Sequence, residues 1–141
     1  MPEKAYDGDR ALVIAQDQPK PVRWIGSSRD DLKGFPKDVQ RSVGNALWAA
    51  QTGAKAPYVK PLKGFAGAGV LEVVDDFDGD AYRAVYTVRF AGVVYVLHAF
   101  QKKSKRGIAT PKSEIEKVEL RLKRAKEDYE LWQKSVNQKS K

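Results

Sequence analysis

The chain has no cysteine, one histidine and one methionine in 141 residues. Without thiols there are no disulfides, no thiolate metal sites and no cysteine nucleophile, and a reducing compartment fits. A single histidine leaves no zinc-type ligand spacing. No apolar run approaches the ~18 residues of a membrane span. The opening MPEKAYDGDR carries acids where a secretory leader needs an apolar run. There is no P-loop, no dinucleotide fingerprint and no Ser-His-Asp set. The expectation is a cytoplasmic protein with no membrane partner, no metal and no cofactor.

Positive charge is what the chain has in excess. The net charge is +8, and 42% of residues are apolar, enough for one core. Residues 101–141 hold 13 Lys/Arg against 6 Asp/Glu, whereas residues 1–100 hold 13 against 12. Nearly all of the surplus therefore sits in the last third. Two readings follow: an anionic partner, nucleic acid first, or a solvated lysine-rich surface.

Residues 1–20 read as a weakly ordered arm, 21–133 as one domain and 134–141 as a frayed tail. Pro21-Val22-Arg23-Trp24-Ile25 reads as a strand, and Ser27 to Asp31 can cap a short helical turn. Pro36 to Gly53 is a helix, because Val39, Val43, Leu47 and Ala50 recur at helical spacing. Lys55 to Gly69 is a Gly/Pro-rich loop. A β-meander follows: Val70–Val74, an acidic turn over 75–80, an alternating strand over 82–90, a turn at Ala91-Gly92, and an interior strand over 93–100. A helix from about Lys112 to Gln133, capped by Thr110 or Ser113, carries one apolar stripe of Ile115, Val118, Leu122, Ala125, Tyr129 and Trp132. The opposite face, with Lys117, Arg121, Arg124 and Glu127, reads as mostly solvated. The fold class is α+β.

The densest charge lies between the last strand and this helix, in HAFQKKSKRGIATPKSE: Lys102, Lys103, Lys105 and Arg106. Arg83 alternates away from Tyr82 and Tyr86. It is either a phosphate ligand or a surface arginine paired with one of the acids at 75–80. Lys60 and Lys63 stand in a loop stretch without acids. His98 alone has an unperturbed pKa near neutrality, which makes it a possible general base. Its setting, Val-Tyr-Val-Leu-His-Ala-Phe, shared with Val94, Val96 and Phe100, favours a buried structural histidine. Tyr86 and Tyr95 read as core, and Trp24, Trp48 and Trp132 as core or interface.

Several pieces recur here in a familiar order. They are Lys60-Pro61-Leu62-Lys63-Gly64, Val70-Leu71-Glu72-Val73-Val74, Tyr82-Arg83-Ala84-Val85-Tyr86, Val94 to Lys103, and Thr110-Pro111 before Glu114-Ile115-Glu116. In that order the chain resembles the phage-derived branch of the RelE/HigB toxin family, over residues 21–130 or so. The resemblance implies a RelE-like fold, with helices packed on one face of a twisted, mainly antiparallel sheet and a long C-terminal helix. It implies the toxin of a type II toxin–antitoxin pair, an mRNA interferase that cleaves ribosome-bound message. Cleavage would be metal-free attack of the ribose 2′-hydroxyl on the adjacent phosphate, inhibiting translation. The implied partners are the ribosome, mRNA and a small helix-turn-helix antitoxin.

By the same resemblance Arg83 takes the place of the family's phosphate-holding arginine. Lys102 and Lys103 stand where a basic residue works near the leaving oxygen. Lys63 matches a basic RNA-contacting position, with Lys60, Lys105 and Arg106 as further backbone contacts. The chain departs from better-known relatives in two places: Val70–Val74 has no lysines, and Thr110-Pro111-Lys112 has no tyrosine. No general base is evident. The rival reading is a non-catalytic module of phage origin that binds nucleic acid or protein.

Overall fold

A computed structural model describes residues 18–65, 67, 69–102 and 110–139. Five strands form one sheet in the order β1-β5-β4-β3-β2: β1 Val22–Trp24, β2 Val59–Pro61, β3 Val70–Phe77, β4 Asp80–Thr87 and β5 Val94–Lys102. Among the described residues only the β1–β5 pair is parallel. Three helices accompany the sheet among the described residues: α1 Ser28–Lys33, α2 Lys37–Gln51 and α3 Lys112–Lys139. The α+β class expected from the sequence is the one found.

α2 packs Val39, Val43, Ala46, Leu47 and Ala50 onto Val73, Ala84, Tyr86, Val94, Val96 and Ala99. α3 lays the expected stripe, Ile115 to Trp132, onto Val70, Val85, Tyr95, Leu97 and Phe100 on the other face. β5 is buried from Val94 to Phe100, as its continuous apolar run requires for a strand flanked on both sides. Gly53 follows α2 at φ +87°, a left-handed position that glycine adopts at little cost.

The structure differs from the sequence reading in several particulars. The loop at 55–69 contains strand β2, which is short and at the sheet edge, where Pro61 is tolerated. The acidic turn narrows to Asp78-Gly79, with φ +53° and +85°. This mirror-image turn suits a tight hairpin, so Asp75 and Asp76 continue the ladder. α3 runs on to Lys139, since no Gly or Pro interrupts it after Trp132. Trp48 is 55% exposed, which removes the core half of its core-or-interface reading and leaves the other. Residues 1–17 of the expected arm lie outside the described residues. No described helix is long and apolar enough to cross a membrane.

One irregularity positions the site. On β5, Ala99 faces Ala84 and His98 faces Val85, but Val96 faces Tyr86, so Leu97 is an extra residue. Such a bulge inverts side-chain parity beyond it. Val94 and Val96 point to α2, whereas Leu97, His98 and Phe100 all serve the α3 side. Placing His98 on one face with Val94 and Val96 is thereby corrected. Truncating the fully buried bulge residue, Leu97→Ala, should cost about 2–5 kcal/mol in denaturant unfolding. Leu131→Ala, at an exposed site, should stay within about 0.5 kcal/mol.

Candidate phosphate-binding site

Cross-strand register builds the site. Lys60 lies opposite Glu72, and Arg83 lies opposite Val74 on one side and Phe100 on the other. Lys102 lies opposite Ala81. Glu72 and Lys102 are therefore diagonal neighbours of Arg83 on the same face, as are Asp76 and His98, each roughly 7–8 Å away. Lys60, Glu72, Arg83 and Lys102 make one oblique row across β2, β3, β4 and β5, with charges plus, minus, plus, plus. Arg83 does point away from Tyr82 and Tyr86, as its alternation requires.

Arg83 is paired, but not with the acids at 75–80. Its Nη1 donates to Glu72 Oε2 at 2.9 Å and to Thr110 Oγ1 at 3.0 Å. The two charged side chains are 13% and 5% exposed. A buried carboxylate between valines is stable here because the arginine neutralises it. Thr110 stands 3.3 Å from the same carboxylate oxygen. Arginine can only donate, so the single hydroxyl proton of Thr110 goes to Glu72. Thr110 therefore does not cap α3 as expected; the first turn instead bonds Glu114 and Ile115 N–H to the Pro111 carbonyl. Arg83 Nε is buried and, among the described residues, has no hydrogen-bond partner. A guanidinium fixed in this way keeps its full charge beside any anion that approaches the row.

Lys102 stands in the field of both charges. Slight burial and the neighbouring Arg83 lower its pKa, while Glu72 opposes the shift. Lys60 is exposed on the edge strand. Lys63 is set apart: Leu62 bonds to Val70, four residues along β3 from the position facing Arg83, roughly 13 Å. Lys103, Lys105 and Arg106 lie outside the described residues.

His98 has a different task. It is 3% exposed and stacks on Phe100. Arg121 Nη1 donates to its Nδ1 at 3.0 Å and also to the Leu97 carbonyl. The proton must then sit on Nε2, which donates to Glu114 Oε1 at 2.7 Å. With both ring nitrogens engaged, His98 joins β5 to α3. Arg121, expected on the solvated face, is drawn in by His98, Leu97 and Ser27. Gly26, at φ +58°, makes room, since a Cβ there would lie 2.9 Å from Arg121 Nε. Further along α3, Asp128 accepts two bonds from Arg23 and one from the Tyr95 hydroxyl, tying β1 to the helix. The Arg23 bonds hold the Asp128 carboxyl below its usual range.

Glu72 and Thr110 are site residues that motif reading missed. The available signal for Glu72 was a lone acid in Val-Leu-Glu-Val-Val; for Thr110 it was masked by an apparent capping role. Among the described residues, no group of three His, Cys, Asp or Glu is placed to hold a metal ion. An open cleft of about 420 Å³ lies elsewhere, between Trp24, Arg29 and Asp128.

Comparison with known proteins adds the family. Residues 30–123, two thirds of the chain, match the family described as Phage derived protein Gp49-like (DUF891). The chain belongs to the phage-derived Gp49-like family. The match falls inside the stretch that carried the phage-derived resemblance and takes in Lys60, Glu72, Arg83, His98, Lys102 and Thr110. No curated protein matches the chain. Among solved structures, the chain is similar to one from the toxin–antitoxin complex RelBE2 of Mycobacterium tuberculosis, with 21% identity and a TM-score of 0.42. That alignment covers 60% of this chain and 99% of the other.

Burial lowers the pKa of His98 first of all, and the Arg121 and Lys117 charges add to it against the Glu114 bond. In the unfolded chain the same group titrates near ~6.5. The unfolded state thus binds the proton more readily, and stability rises with pH through this window. The His98 contribution should be complete above pH ~6.5 and lost as pH falls below it. Urea unfolding of wild type and His98→Gln across pH 7.5 to 5 checks this: the wild-type slope should flatten in the variant.

Proposed function

We propose that this protein is the toxin of a toxin–antitoxin pair and cuts RNA at the Arg83 row. The observation that carries the reading is the Arg83 guanidinium. It is held on one side by Glu72 and Thr110 and is flanked diagonally by Lys102. Membership of the phage-derived Gp49-like family and the likeness between the row and the resembled toxin motif support the same assignment.

In this reading Arg83 holds the scissile phosphate, and its fixed charge meets the negative charge that grows on the phosphoryl oxygens during attack. Lys102, with Lys103 from the following segment, stabilises or protonates the leaving oxygen. A lowered lysine pKa favours that proton transfer. Glu72 is the carboxylate positioned to take the proton from the ribose 2′-hydroxyl. Lys60 supports the RNA backbone next to it, and Lys63, Lys105 and Arg106 widen the basic surface. His98 stays neutral and structural. The substrate is message on the ribosome, the outcome is arrested translation, and a small antitoxin, of helix-turn-helix type, covers the toxin in the resting cell.

The buried Arg83–Glu72 pair also favours a second reading, a module that grips nucleic acid without cutting it, because each partner neutralises the other. Induced expression in a bacterium separates the two. Growth arrest with shortened messages, relieved by Arg83→Ala, supports the nuclease; normal growth with intact messages supports the binder. For the nuclease, cleavage of ribosome-bound message by Arg83→Ala should fall about 100-fold or more. Glu72→Gln should fall by a similar factor while still binding RNA, since it keeps the shape and removes the base.

A further inference from the structure

Thr110 has a contact set unlike that of a helix cap. Its hydroxyl accepts from Arg83 Nη1 and donates to Glu72 Oε2, so it bridges the only two charged side chains of the row that are nearly buried. It is also stiff. Pro111 restricts the backbone of the preceding residue to extended conformations. The β-branched side chain limits χ1. The bridge is thus fixed to the first turn of α3, which His98 and Glu114 fasten to β5.

We infer that Thr110 is a positioning residue for the Arg83 row: its hydroxyl holds the Arg83 guanidinium in one orientation against Glu72, with Nε kept buried. The inference rests on the nuclease reading and adds a residue to it. Without the hydroxyl, Arg83 Nη1 has only Glu72 as its acceptor, and the guanidinium is free to turn fully onto the carboxylate. The orientation in which the guanidinium meets a phosphate is then lost. Glu72 also loses a hydrogen-bond donor. Contacts made by Lys60 and Lys102 would remain, so RNA binding should suffer less than turnover.

The test compares Thr110→Val, which removes the hydroxyl and keeps the shape, with Thr110→Ser, which keeps the hydroxyl. Cleavage of a message on purified ribosomes should fall at least 10-fold in Thr110→Val, with KM changed less than 3-fold. Thr110→Ser should stay within a few-fold of wild type. A second readout does not depend on cleavage. In ¹⁵N NMR, the Arg83 Nε–H signal, assigned with Arg83→Lys, should be sharp and slow to exchange in wild type and Thr110→Ser. It should be broadened in Thr110→Val. Equal behaviour of Thr110→Val and wild type in that spectrum overturns the inference, and so does equal damage in Val and Ser. A wild-type protein that fails to cleave while the spectra behave as stated sinks the nuclease reading and leaves the positioning role standing.

Discussion

One extra residue in β5 governs the site. Up to Val96 the even-numbered side chains of this strand belong to the α2 layer; beyond Leu97 they belong to the α3 layer. Were the strand to alternate regularly through Leu97, His98, Phe100 and Lys102 would turn to the face holding Val73 and Ala84. The Arg83 row would lose its outer cation, and α3 would lose the histidine that anchors its first turn. A local insertion in a ladder thus decides which charges meet. Bulges are known for re-aiming side chains next to functional sites.

Much of the architecture was legible because its causes are local. The α2 and α3 stripes follow from apolar spacing, the hairpin from Asp78-Gly79, and the interior place of β5 from an unbroken apolar run. The outward turn of Arg83 followed from simple alternation on β4. What could not be read depends on long-range register. The bulge leaves no mark in Val-Tyr-Val-Leu-His-Ala-Phe, so the parity of His98 was misjudged. The extent of β3 was hidden because Asp75 and Asp76 look like turn residues until their partners on β4 are known. Strand β2 is three residues long and includes a proline, and pairing with β3 alone makes it a strand.

The site shows the same division. The cations of the row could be nominated from residue type and order. Glu72 could not, because a carboxylate in an apolar strand has no meaning until its partner across the sheet is seen. Its burial is tolerable only beside Arg83, and the restricted exposure of Arg83 is tolerable only beside Glu72 and Thr110. Thr110 stands 27 residues from Arg83 and 38 from Glu72, so no local pattern could assign it. Arg121 likewise looked solvated by helical position, yet it reaches over a glycine to hold His98 and the β5 backbone.

The sheet also acts as a partition. Lys60, Glu72, Arg83, His98, Lys102, Thr110 and Glu114 all gather on the α3 side, whereas the α2 layer is built from aliphatic and aromatic groups. The backbone ladder of the sheet runs between the two layers. Random drift in the α2 layer can therefore tune how firmly the domain holds together while leaving the charged side untouched. Substitutions that alter activity but spare folding should concentrate on the opposite surface.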